Sequence, residues 1–154
     1  MLKEELESLV QEVVASATKL RDKYTQEQNA PVNYAAVFAQ SEQEYQTLLG
    51  AAGGLGRVVE DTPSGPVFAL NGFETISGTL KLLKIRMPDT TRPEWGDADF
   101  TVRDYEAFKS ICLPNPGFKL IERPRMEMIE LVAAEFNVKA YFSNTPLIRL
   151  LGLE

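Results

Sequence analysis

The sequence predicts an α+β fold in which two similar βαβββ halves follow a long N-terminal helix. Three observations carry that expectation. Apolar residues recur at three-and-four spacing from Leu2 to about Gln28, short β-leaning runs surround one helical stretch in each half, and the order of elements in residues 32–88 returns in residues 96–150.

The first helix is set by Leu2, Leu6, Leu9, Val13, Ala17, Leu20 and Tyr24, which fall on one face. Such a stripe must be covered, either by its own domain or by a second copy in a short dimer seam. NAPVN (29–33) ends the helix and leaves residues 1–28 as an N-terminal unit. VNYAAVFA (32–39) then reads as a strand, and SEQEYQTLLGAAG as a helix with Ser41 at its N-cap and Glu44 completing a capping box. GAAGGLG (50–56) reads as its stop, with glycines expected to supply a left-handed cap. RVVED and PVFAL flank the turn TPSG as a hairpin, and GTLKLLKIRMP (78–88) closes the first half as a strand.

The second half repeats the order with DADFTV, the helix RDYEAFKSICL starting near Asp104, the strands GFKLIER and MEMIELV around Pro124 and Arg125, and VKAYFS. Aligning Phe38 with Phe100 gives an offset of 100 − 38 = 62 residues, which also aligns Glu42 with Asp104.

Composition narrows the function classes. With 154 residues, 44% apolar and 25% charged, the chain has ordinary globular usage and buries roughly 70% of its unfolded surface. No apolar run approaches the roughly 18 residues of a membrane span, and MLKEELESLV places charges where a signal peptide is apolar, so no membrane partner and a cytoplasmic location are expected. A net charge of −6 argues against a nucleic-acid partner, which calls for a basic stripe. The absence of histidine excludes Ser-His-Asp triads, Cys-His dyads and histidine-based zinc sites. Neither GxGxxG nor GxxxxGK[ST] occurs, and the single Cys112 reads as core packing.

The stretch RPEWGDADFTVRDYEAF (92–108) carries two carboxylates spaced two apart. In a strand, Asp97, Asp99 and Thr101 point one way while Ala98, Phe100 and Val102 point the other. The pair could hold a metal, serve as acid and base, or face water.

Two βαβββ halves behind a helix resemble the vicinal oxygen chelate superfamily, the glyoxalase and bleomycin-resistance fold, and within it the YecM-like branch. VNYAAVFAQSEQEYQTLL is similar to that family's first strand and helix, RPEWGDADFTVRDYEAF to the opening of its second module, and VKAYFSNTPL to the closing strand of the YecM-like branch. The resemblance spans roughly residues 5–150. It implies a curved mixed sheet forming a half-barrel cup, with a divalent metal held by one ligand from each of four strands. Carried onto this chain, the first histidine position falls on Tyr34, the first carboxylate position on Lys84 or Arg86, and the second histidine position on Asp97. The fourth falls on Glu130 or Tyr141.

Electrostatics argues against keeping that metal. An ammonium about 4 Å from a divalent cation is repelled by roughly 8 kcal/mol at an effective dielectric of 20, twice the unit-charge value. Only Asp97 and Glu130 remain as hard-oxygen ligands, so the expected cofactor is none, with a weakly held divalent ion through those two as the alternative. Lys84 and Arg86 could instead neutralise Asp97 across the cup, with Asp99 beside it or at the rim. Tyr34, Phe38 and Tyr141 could line a pocket or belong to the core, and Trp95 is expected to plug the space between the halves.

The leading expectation is a small organic ligand held in the cup, without the usual metal, by Tyr34, Lys84, Arg86, Asp97, Asp99, Glu130 and Tyr141. One alternative is a metal-dependent lyase, isomerase or dioxygenase of the superfamily. Another is an interaction module that dimerises through its helix.

Overall fold

The structure, a computed structural model, describes residues 3–154, and Leu2 lies outside the described residues. Helix α1 (Lys3–Tyr24) buries Leu6, Val10, Val13, Val14, Ala17 and Leu20. What covers this stripe is the chain's own sheet and α2 (Glu42–Ala52), as the amphipathic pattern requires of a helix lying on its own domain. Leu9 is only partly buried and Tyr24 is exposed, so the buried face is centred slightly away from the line drawn through those two.

The rest of the first half runs β1 (Val32–Phe38), α2, β2 (Gly56–Thr62), β3 (Gly65–Thr75) and β4 (Gly78–Arg86). The second runs β5 (Gly96–Phe100), α3 (Tyr105–Cys112), β6 (Phe118–Glu122), β7 (Glu127–Leu131) and β8 (Val138–Ser143), followed by a single helical turn, α4 (Leu147–Leu150). All eight strands form one open curved sheet in the order β2-β3-β4-β1-β5-β8-β7-β6. Each half supplies four neighbouring strands, and the halves join along the antiparallel pair β1 and β5.

Strand alternation divides the buried residues between two faces. Ala35 and Val37 of β1, Ala98 and Phe100 of β5, and Ala140 and Phe142 of β8 pack under α1, α2 and α3 in one apolar layer. Ala36, Phe38, Val67, Leu82 and Tyr141 are also buried but lie outside that layer, on the concave face. Cys112 belongs to the helix-side layer, where burial pushes its thiol up to about 11.

Ser41 accepts from the Glu44 N–H at 3.1 Å and caps α2, while Glu44 reaches back to the N–H of Gln40, one residue before the cap. Asp104 caps α3 in the same way through Ala107 N–H. The end of α2 departs from expectation. Gly53 keeps right-handed helical geometry at φ −60°, and the helix tightens through bonds from Gly54 to Ala51 and from Leu55 to Ala52, so no left-handed cap forms. Gly56 is needed for a different reason: a Cβ there would stand 2.0 Å from the carbonyl oxygen of Ala69 on the paired strand.

The repeat is in a different register from the 62-residue alignment. Phe38 faces the concave side whereas Phe100 lies in the helix-side layer, and a one-residue slip exchanges the faces of a strand. Matching the caps gives 104 − 41 = 63, which pairs core with core, Ala35 with Ala98 and Val37 with Phe100. It also pairs Tyr34 with Asp97.

Gly96 and Arg21 tie α1 to the sheet. A Cβ on Gly96 would meet the Ala36 carbonyl oxygen at 2.3 Å and Val13 at 3.0 Å, so the missing side chain lets the helix approach β5. Arg21, 2% exposed, lies 4.8 Å from the Phe100 ring and donates to the carbonyls of Ala30 and Gln28 at 2.6 and 2.8 Å, fixing the linker to the helix. Among the described residues, no helix is long and apolar enough to cross a membrane.

Candidate functional site

The concave face holds a cavity of about 200 Å3 where the two halves meet. Its position follows from sheet register. A single cross-strand row runs Glu60, Val67, Lys84, Ala36, Asp97 and Lys139, so charged side chains alternate in sign, with Val67 and Ala36 as spacers and Asp97 directly beside Lys139. Ala36 is the smallest of these, and the space above its methyl group is the cavity floor. Tyr34 and Phe38, two residues away on either side along β1, form its flanks.

Lys84 and Arg86 stand on one side of this floor. The Lys84 amine donates to the Ser64 hydroxyl at 2.6 Å, and Arg86 reaches the same oxygen at 3.4 Å. The Arg86 guanidinium also lies 5.6 Å from the Phe38 ring centroid and 3.8 Å from Asp89, while its Nε is buried with no partner among the described residues. Burial and the adjacent Arg86 lower the Lys84 pKa, against the pull of Asp97 and Glu60.

Asp97 and Asp99 stand on the other side, as strand alternation requires, and their environments differ. Asp99, 5% exposed, accepts from the Ser143 N–H at 3.0 Å and from the Ser143 hydroxyl. Burial raises its pKa to about 6, and these bonds hold it from rising further. It is buried rather than set at the rim. Asp97 receives no hydrogen bond from the described residues and opens to the cavity. Burial and the neighbouring Asp99 push it up to about 7, opposed by Lys84, Arg86 and Lys139. Lys84 acts on Asp97 through space, its direct partner being Ser64. Thr101 leaves this face because β5 ends at Phe100; its hydroxyl accepts from Asn33.

Tyr34 also faces the cavity with a hydroxyl that bonds none of the described residues, and burial together with Asp97 keeps it well above the ordinary tyrosine range. Tyr141 closes the far wall and donates to Glu130 at 2.9 Å; burial is the main cause of its raised pKa. Glu130 does not line this cavity. It lies in the adjoining depression with Lys139, whose amine is 3.3 Å from Glu130 and 3.5 Å from Glu94. Six of the seven expected site residues therefore share one hollow, and the seventh supports it through Tyr141.

Several lining residues were not legible beforehand. Ser143 and Met128 follow from alternation, being two residues from Tyr141 and Glu130. Arg92, Arg123 and Met126 come from connecting segments, and Leu147 and Leu150 from α4, none of which carries a periodic signal. The C-terminal turn is held over the cup by Arg125, which donates to the Leu150 carbonyl at 2.6 Å. Trp95 corrects the expectation of a plug: its side chain is 52% exposed, and its backbone does the joining, accepting from Phe38 N–H and donating to Asn137.

Among the described residues no three His, Cys, Asp or Glu side chains gather into a metal-holding group. Lys84 or Arg86, each a cation, stands at the position that the resemblance assigns to a carboxylate, and Glu130 is turned to Tyr141 and Lys139. This donor set does not fit a divalent ion.

No protein-family model and no curated protein sequence matches the chain. Among solved structures, one described as "Structural Genomics, Protein EC4020" superposes with a TM-score of 0.74 over 98% of this chain and 92% of its own, at 9% identity. A glyoxalase/bleomycin resistance protein/dioxygenase superfamily member from Vibrio splendidus 12B01 matches 74% of this chain and 97% of its own, at 10% identity and a TM-score of 0.46. Two βαβββ halves on one curved sheet behind a long helix are the fold of this chain, shared with the first of these structures, and its chemistry has to be argued from the cup.

Proposed function

We propose that this protein binds a small organic molecule in the cup without a metal, as a member of the YecM-like branch of the vicinal oxygen chelate superfamily. The observation that carries the reading is a hollow lined by Asp97 and the Tyr34 hydroxyl, neither of which hydrogen-bonds another described residue, with Lys84 and Arg86 beside them. Convergent polar groups that line a concavity without protein partners are free to bond a small molecule that enters. The hollow is smaller than the roughly 300–1,000 Å3 typical of drug-sized ligands, which favours an occupant of metabolite size. Absence of metal is part of the proposal and rests on Tyr34 standing at a histidine position and Lys84 or Arg86 at a carboxylate position of the resembled family.

Chemical-shift mapping of the full chain with a fragment set of carboxylates, amines, amides and phenols tests it, together with titration of Mn2+, Mg2+ and Ni2+. Perturbations gathered on β1, β5 and β8, with no stoichiometric metal, are the expected result. A tightly held ion that raises the melting temperature would replace this reading with the metal-dependent enzyme. A fragment set that leaves the cup untouched would remove it.

A further inference from the structure

The cup is polarised, and its polarity selects a class of ligand. On the β4 side the donors are the remaining N–H groups of Lys84 and the Arg86 guanidinium, which lies 3.8 Å from Asp89; Arg92, also paired with Asp89, and Arg123, which follows β6 at the other end of the sheet, complete the cationic lining. Across the floor on the β5 side the free acceptor is Asp97, since Asp99 already accepts twice from Ser143. Lys84 and Asp97 are register partners of the same Ala36, so their backbones lie two strand spacings apart, roughly 9–10 Å. Both side chains line the same cavity as Ala36, and they form no ion pair with each other. A third wall is apolar, made by Met126 and Met128 with Leu147 and Leu150 of the C-terminal turn.

We infer that the ligand is a small zwitterion of the apolar amino-acid type, its carboxylate held by Lys84 and Arg86, its ammonium by Asp97, and its side group against Met128 and Leu147. This inference rests on the binding reading above and specifies it. A carboxylate alone would satisfy the β4 donors and leave Asp97 without a hydrogen-bond partner, since its neighbour Lys139 is taken by Glu130 and Glu94. An amine alone would satisfy Asp97 and add a cation to a hollow where Lys84 has only the Ser64 hydroxyl and Arg86 shares Asp89 with Arg92. Only a molecule carrying both charges completes each side, and buried charges left unpaired are strongly unfavourable.

Calorimetric titration with L-leucine, L-methionine, L-valine and L-phenylalanine, beside isocaproate and isoamylamine as one-ended analogues of leucine, decides the matter. At least one amino acid is expected to bind about tenfold or more tightly than either analogue, the discrimination that one charged hydrogen-bonding group commonly provides. In Asp97→Asn the preference for leucine over isocaproate should vanish while isocaproate binding is kept, and in Lys84→Met both should weaken. Isocaproate binding as tightly as the best amino acid overturns the zwitterion assignment, and so does failure of all six compounds. The broader reading falls separately, only if the fragment set also leaves the cup unperturbed.

Discussion

Strands β1 and β5 occupy equivalent places in the two halves, each leading to a capped helix and each pairing with the other at the centre of the sheet. Towards the helices they are alike, with Ala35 and Val37 on one and Ala98 and Phe100 on the other. Towards the cup they are opposites: Tyr34, Ala36 and Phe38 against Asp97 and Asp99. One face of the repeat is constrained by packing against helices, and there only apolar side chains of suitable size fit. The other is free to diverge, because a cavity imposes no single volume on its lining. The asymmetry of the site arises entirely on that second face.

The largest effect should come from testing the two faces with the same substitution. Phe100→Ala removes a ring that is 0% exposed and packed 5.9 Å from Phe142, and should cost about 3–5 kcal/mol in denaturant unfolding. Phe38→Ala, at a ring already bordering empty space, should cost no more than about 2 kcal/mol while altering fragment binding. Equal losses would mean that the concave face is packed as a core.

Next in size is the contact between α1 and the second half. Gly96→Ala places a methyl against the Ala36 carbonyl and Val13, and should cost about 1–3 kcal/mol, read as a lowered melting temperature. A neutral result would show that the helix does not seat on β5 as closely as described.

Burial raises the pKa of both aspartates, so both contributions decline as pH rises, and it is mutation that should separate the two. Asp97 has its folded pKa raised from 3.8 to about 7, so between those values the folded chain binds the proton that the unfolded chain releases. Its contribution therefore favours folding at low pH and declines as pH rises through about 7. The groups acting on it are Asp99, Lys84, Arg86 and Lys139. Asp97→Asn should be more stable than the parent at pH 8, by about 1–3 kcal/mol, with the gain fading below about pH 5. Asp99→Asn should instead be destabilised by about 1 kcal/mol through its bonds to Ser143. Urea melts of both variants across pH check the contrast, which fails if the two shift together.

The smallest effect concerns the caps that define the 63-residue register. Ser41→Ala and Asp104→Ala should each cost about 1 kcal/mol, since each oxygen satisfies one N–H at a helix start. Unequal losses would mean that the two helices contribute differently to their halves.

How much was legible in the sequence follows the same division. Alternation put Asp97 and Asp99 on one face and Lys84 and Arg86 on another strand's matching face, and the repeated order of elements gave two halves. The register of the repeat was not legible, because two phenylalanines in similar surroundings of sequence lie on opposite faces and only pairing across the sheet distinguishes them. Nor were Ser64 as the partner of Lys84, or the exposed side of Trp95, since both depend on a turn or loop whose path local propensity does not set.

By itself the sequence determined the elements, their order and the side of each strand on which charge would lie, because these depend on periods of two and of three to four along the chain. Tertiary structure alone decided that Lys84, Ala36 and Asp97 share one row, that the smallest of them opens a cavity between opposite charges, and that Asp99 is satisfied while Asp97 is not. Those outcomes depend on hydrogen-bond register between strands far apart in the chain, and no local pattern specifies how distant segments slide into place.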